Sequence, residues 1–201
     1  MDFTLLRTFS DTLEDEWNAL LDQTASHVPF LRYEYLRAWW KTMGGGEWQK
    51  GDLMLITARQ EGKLVGAAPL FFSRDKGVDA LYLVGSIEVS DYLDLLAAPE
   101  DMPGFCYGLL RFLNSVELPR WQQLDLYNIL DSSPALPALK EASHSLGWRY
   151  EEQTLQHSPY IRLPGDFETY LAGIDKKQRH EIRRKVRRAE ASPVPVSWYL
   201  V

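Results

Sequence analysis

An α/β or α+β domain is the fold class this sequence predicts, and three observations predict it. Apolar residues switch several times between period two and helical spacing, so strand-like and helix-like stretches interleave along the 201 residues. The composition is 45% hydrophobic and 12% aromatic, which is enough to build a packed core. Residues 175–190, DKKQRHEIRRKVRRAE, hold eight Lys/Arg against three acids in a chain of net charge −6, and they read as a long basic C-terminal helix.

In chain order, residues 3–9 alternate and read as a short strand. Asp11 or Thr12 is placed to cap a helix over Leu13, Trp17, Leu20 and Leu21. His27-Val28-Pro29-Phe30 breaks it. A second helix carries Tyr33, Leu36, Trp39, Trp40 and Met43 on one side and stops at Gly44-Gly45-Gly46. Residues 52–59 and 63–73 form a hairpin about Gln60-Glu61-Gly62. Residues 81–85 and 93–97 are further apolar extended segments. A helix is predicted over 105–118, a strand over 122–127 (QQLDLY), and a helix over 134–146 that ends at Gly147. Residues 148–163 read as extended with a polar middle, 166–190 as helical, and 194–201 (VPVSWYLV) as a strand with nothing after it to pair with.

Charge and composition limit the function. A pI near 5.3 argues against a general nucleic-acid binder while leaving room for a local anion site. The single Cys106 forms no intrachain disulfide and fits a reducing compartment. No basic segment leads into an apolar core at the N-terminus, and the longest apolar runs are too short to span a bilayer, so a soluble, cytoplasmic protein is expected. The four histidines are scattered with no metal-ligand spacing. Neither Gly44-Gly45-Gly46 nor Gly62 with Gly66 has the pattern of a phosphate loop. His157, Ser158 and Asp91 supply the residue types of a hydrolytic triad, but no nucleophile elbow accompanies them.

Two stretches remain as candidate sites. On a helical projection Gln178, Ile182, Val186 and Ala189 fall within roughly 80°, a narrow apolar seam, while Lys177, Arg179, Arg183 and Arg184 crowd the flanks. Like charges at i,i+4 repel by a few tenths of a kcal/mol per pair, so the helix calls for anionic company. Three readings stay open: a site for phosphate or a polyanionic substrate, a helix docked on acidic protein surface or solvated as a linker, and a contact for nucleic acid or anionic membrane. The second stretch, Ser90-Asp91-Tyr92, precedes an apolar strand. It reads either as a turn cap or as a carboxylate and a phenol set at a strand end.

The order of several motifs resembles a known family. An early Trp17 with Pro29-Phe30 is followed by Ala38-Trp39-Trp40, then by Gly62-Lys63-Leu64-Val65-Gly66-Ala67-Ala68-Pro69-Leu70, then by Ser90-Asp91-Tyr92-Leu93-Asp94-Leu95. Ser158-Pro159-Tyr160-Ile161 and Lys177-x-Arg179-x-x-Ile182-Arg183-Arg184 complete the series. Over residues 15–190 this resembles the GNAT-like acyltransferases of the CelD/BcsL type, associated with cellulose biosynthesis and related to the FemABX peptidyltransferases.

The resemblance implies a mixed, largely antiparallel central sheet flanked by helices. It divides the chain into a GNAT-like N-terminal domain (1–164), a basic connecting helix (165–191) and a linker with the first strand of a second GNAT-like domain (192–201). It implies transfer of an acyl group to a cell-envelope saccharide or peptidoglycan-like acceptor. Ser90, Asp91, Tyr92, Tyr160, Lys177, Arg179, Arg183 and Arg184 become candidates for binding acceptor or phosphate groups. The expected partner is the second domain or another copy of the chain, with no nucleic acid. The family's coenzyme-A pyrophosphate loop has no counterpart between Gly85 and Gly104, where Asp101 stands near the helix start. Acetyl-CoA, another acyl-CoA or an aminoacyl donor is therefore expected in the full-length protein and not on this chain. The other class left open is a non-catalytic module that uses its basic helix to dock a partner domain or an anionic polymer.

Overall fold

The computed structural model describes residues 1–44, 51–74, 77–85, 89–115, 118, 120–194 and 196–197. It divides into two compact units, Met1–Gln153 and Thr154–Val201, which are taken in turn.

The first unit holds strands β1 (Asp2–Leu6), β2 (Gly51–Gln60), β3 (Lys63–Ser73), β4 (Ala80–Leu83), β5 (Leu96–Ala97) and β6 (Gln123–Asp125). Its helices are α1 (Glu14–Leu21), α2 (Tyr33–Met43), α3 (Met102–Leu113) and α4 (Ala135–Ser145). One sheet runs β1-β2-β3-β4-β6, with β5 also paired to β3. Every pairing is antiparallel except β4 with β6. The expected mixed, largely antiparallel sheet flanked by helices is thus present.

The helices cover both sheet faces. Phe3 and Gly66 lie on the α3 face, where Phe105 stacks on Phe3 at 5.9 Å. Register partners share a face, so the row Leu53, Phe71, Tyr82 and Asp125 looks the other way, toward α2, from which Trp39 and Trp40 approach the Phe71 ring. The early aromatic motif of the sequence is a clamp between α1 and α2. Buried Trp17 donates from Nε1 to the Leu31 carbonyl at 2.9 Å. The Tyr33 hydroxyl donates to the Ser10 carbonyl at 2.8 Å and accepts the Ser10 N–H at 2.7 Å. Both rings are apolar bodies with a polar tip, and each tip finds a backbone partner.

Pro69 shapes the middle of the sheet. Proline is rare in a central strand because it cannot donate to the ladder. The Pro69 carbonyl accepts from Val84 at 2.7 Å, so residue 69 faces β4 and the return bond of that pair cannot exist. Pairing of β3 with β4 runs only from Ser73/Ala80 to Leu70/Leu83, after which the chain leaves the sheet. It returns as β5, where Gly66 pairs Ala97 and Ala67 pairs Leu96. The excursion between Val84 and Leu95 carries Ser90-Asp91-Tyr92.

Several sequence boundaries shift. Ser10, and not Asp11 or Thr12, caps the first helical turn, its hydroxyl accepting from the Thr12 N–H. Helix α3 begins at Met102 and ends at Leu113, because Pro103 suits a first turn and a 3₁₀-type turn follows at Ser115. Residues 148–163 form no strand pairing. In the second unit the helix expected over 166–190 is two helices, α5 (Phe167–Gly173) and α6 (Lys176–Glu190). Asp166 and Asp175 each accept an N–H at the start of a helix, Asp175 from Gln178 at 3.0 Å, so a new cap divides what the apolar periodicity had joined. Gly45, Gly46 and Val116 and most of the predicted last strand lie outside the described residues.

Candidate functional site

Strands β4 and β6 run parallel, and their pairing ends at Tyr82 and Asp125. In sheets with parallel pairs the strand ends collect ligand-handling side chains. Three groups of polar residues occupy this end of the first unit.

The first is on β6. Asp125 is half-buried on the α2 face beside Tyr82 and accepts from Gln123 Nε2 at 3.0 Å. Burial raises its pKa above the ordinary carboxylate value, against opposing hydrogen bonds from Tyr127 and Gln123. Tyr127 stacks on Tyr82 with ring centroids 6.4 Å apart. The sequence offered one signal for this group: Gln123, Asp125 and Tyr127 stand at alternate positions of the strand, across from Leu124 and Leu126.

The second is the excursion. Ser90 is buried, its hydroxyl 2.9 Å from that of Tyr35, which also donates to the Val89 carbonyl. Asn128 donates to the Ser90 carbonyl, and the Leu93 N–H donates to the Asn128 carbonyl, both at 3.0 Å. These bonds tie the chain after β4 to the chain after β6. Val89 at φ +70° and Asn128 at +61° hold left-handed backbone, a strained state for β-branched valine of order 1–3 kcal/mol. Gly85 is required here, since a Cβ would lie 3.0 Å from the Ser90 hydroxyl at a φ of +99°. Asp91 is exposed, and Tyr92 is half-buried against Phe30. Ser90 therefore anchors the loop, while Asp91 and Tyr92 carry its free chemistry.

The third group escaped the sequence reading. Asp94 is only 2% exposed. It accepts from Ser26 Oγ and from the Leu95 N–H, each at 2.8 Å, and from the Ser133 hydroxyl. Burial raises its pKa despite those three donors. It joins the loop after α1, the excursion and the start of α4. Burial, with the Asp94 charge adding, pushes the Cys106 thiol up to about 12 and leaves it inert.

The start of α3 is a poor seat for a coenzyme-A pyrophosphate. The Met102 N–H is already bonded to Ala98, position 103 is proline, and the Phe105 N–H bonds to Asp101. An open groove of about 320 Å³ nearby is lined by Gln60, Glu61, Lys63, Val65 and Asp101. Two carboxylates and so few free donors do not suit a pyrophosphate.

In the second unit Tyr160 is 79% exposed. Arg179 is half-buried and donates to the carbonyls of Ala172 and Ile174 at 3.2 and 3.0 Å, closing the end of α5 as a cation at a helix C-terminus. Its Nε is buried without a partner. Arg183 pairs with Glu168 across to α5, and Arg184 pairs with Glu181 at 2.7 Å. Lys177 is exposed. Three of the four cations thus make contacts within their own unit. Ile182 is half-buried, and the rest of the expected seam, Gln178, Val186 and Ala189, is exposed. Among the described residues no cluster of His, Cys, Asp and Glu could hold a metal, and no helix is long and apolar enough to cross a membrane.

No family model matches the chain, and no curated protein does. Solved structures with a related backbone include a wild-type Thermus thermophilus protein, 17% identical with a TM-score of 0.43, covering 83% of this chain and 100% of its own. A Trypanosoma brucei acetyltransferase is 13% identical with a TM-score of 0.42, covering 79% and 99%. A ribosomal-protein-alanine N-acetyltransferase from Brucella melitensis biovar Abortus is 14% identical with a TM-score of 0.40, covering 81% and 98%. Likenesses of this size assign neither a family nor an activity.

Proposed function

We propose that this chain is the N-terminal, acceptor-handling half of a GNAT-like N-acyl- or acetyltransferase of the CelD/BcsL type, acting on a cell-envelope saccharide or peptidoglycan-like acceptor. The acyl donor belongs on a second GNAT-like domain. The observation that carries this reading is the half-buried Asp125 at the end of the sheet's parallel pair. Burial makes Asp125 a stronger base than a solvated carboxylate, suited to taking the proton from an amine or hydroxyl as it attacks. Exposed Asp91 and half-buried Tyr92, on the loop bonded to Asn128, are placed to orient that acceptor. The motif order of the sequence supports the family, and the poor fit of the α3 start to a pyrophosphate supports a donor site elsewhere. A non-catalytic docking module is the second reading, favoured by the α6 cations that stay exposed, Lys176, Lys177 and Arg188.

Thermal shift separates the two. A ligand at about 100 times its Kd stabilises its protein by about 2.7 kcal/mol. An amino sugar or a muropeptide should shift the first unit, Asp125→Asn should abolish the shift, and acyl-CoA should give none. A shift with acyl-CoA would overturn the placement of the donor. Silence from every acceptor would favour the docking module.

A further inference from the structure

The second unit begins with a segment whose sequence reads as a strand but which pairs with no sheet among the described residues. Every residue from 154 to 163 is exposed, and none makes a hydrogen bond among the described residues. Yet the pattern is close to that of a half-buried strand: Leu155, His157, Pro159, Ile161 and Leu163 fall on one side at period two, four of the five apolar, with Thr154, Gln156, Ser158, Tyr160 and Arg162 on the other. Leu155 is 56%, Ile161 68% and Leu163 78% exposed. A row of apolar side chains beside an unpaired backbone ladder is what an added strand presents to a sheet edge.

The first unit offers such an edge. Strand β1 ends the sheet and, among the described residues, pairs only with β2. Beside it lies a groove of about 310 Å³ lined by Thr4, Leu6, Ser10, Thr12, Leu13 and Thr57, with Glu16 and Arg59 at its side. Small hydroxyl residues around Leu6 and Leu13 leave room for one branched aliphatic side chain. Charge favours the match. Residues 154–201 hold nine Lys/Arg against five acids, and residues 1–153 hold thirteen against twenty-three. Asp11, Glu14, Asp15 and Glu16, all at the groove or on the turn beside it, outnumber their ion-pair partners Arg37 and Arg59 and leave a net acidic surface for an incoming basic unit.

We infer that residues 159–163 of one copy add as a strand to the β1 edge of a second copy, with Ile161 or Leu163 entering the groove and the basic α6 lying over the acidic start of α1. The exchange makes a self-complementary dimer. It is independent of acyl transfer.

Sedimentation velocity over a wide concentration range tests it. The wild-type chain should dimerise and dissociate as salt rises. Ile161→Asp with Leu163→Asp should be monomeric with an unchanged far-UV circular dichroism spectrum, since both side chains are exposed and support no core. Mixing a Thr4→Cys protein with a Leu163→Cys protein under mild oxidant should give a covalent heterodimer, because Cys106 is buried. A wild-type monomer at every concentration overturns the inference. A dimer that survives the double Asp variant, or a mixture that forms no crosslink, overturns the strand exchange.

Discussion

Gly66→Ala is the sharpest test of the packing described here. A Cβ at Gly66 would lie 2.2 Å from Cδ2, 2.5 Å from Cε2 and 2.9 Å from Cγ of Phe105. Ordinary contact begins near 3.4 Å, so the ring must retreat by about 1 Å. It has nowhere to go: Phe105 is fully buried and stacks on Phe3 at 5.9 Å. Phe3 stacks in turn on Phe112 at 5.8 Å and sits where a Cβ at Gly108 would be 2.4 Å from it. Overpacking of this kind costs about 1–3 kcal/mol. The stiffer unfolded chain of the alanine variant offsets about 0.4–1 kcal/mol of that. A net loss of about 1.3 kcal/mol should lower Tm by about 3–5 °C for a unit of this size. Urea denaturation followed by tryptophan fluorescence measures it. In a Phe105→Leu background the same substitution should cost less than about 0.5 kcal/mol, a coupling that a nonspecific effect of alanine would not produce. An unchanged midpoint in the wild-type background would refute the packing argument.

Two further predictions concern pH. Glu34 is partly buried, which works against its charge, but hydrogen bonds from Asn18 and Arg32 hold its pKa down to about 2. Its folded pKa lies below the unfolded one, so its contribution is present above about pH 4.3 and is lost as pH falls toward 2; Glu34→Gln should flatten that part of the stability profile, and an unaltered acid limb would count against it. Asp94 has the opposite sign. Its raised folded pKa means stability is fullest below the unfolded value of about 3.9 and declines as pH rises through the folded pKa, so Asp94→Asn should remove that decline. Asp94→Ala, which strands the Ser26, Ser133 and Leu95 donors, should cost about 2–3 kcal/mol at neutral pH by denaturant titration.

Local chemistry was legible in the sequence and long-range pairing was not. The hairpin of β2 and β3, the helix stop at Gly44 and the aromatic side of α2 follow from turn residues and periodicity alone. The split between α5 and α6 was hidden because Leu171, Ile174, Ile182 and Val186 continue an apolar rhythm across a break made by one aspartate cap. The return of β5 to the start of β3 depends on register between distant segments, which no local pattern encodes. Asp94 sits inside the run Leu93-Asp94-Leu95-Leu96, where alternation reads it as an outward strand position; its burial depends on Ser26 and Ser133, far away in the chain. The basic helix was the most conspicuous feature of the sequence, yet Arg179, Arg183 and Arg184 find partners next door, as cations beside a helix end and scattered acids do.

Pro69 has a consequence for how this sheet is kept open. With an N–H at that position, the pairing of Leu70 with Leu83 could continue inward, Val84 and the residues after it would zip along β3, and the excursion would be drawn into a longer hairpin. The ring forbids the return bond of the first added pair. One missing proton on β3 therefore acts as a stop for strand growth, and the loop bearing Asp91 and Tyr92 exists as a loop because the ladder beside it cannot be completed.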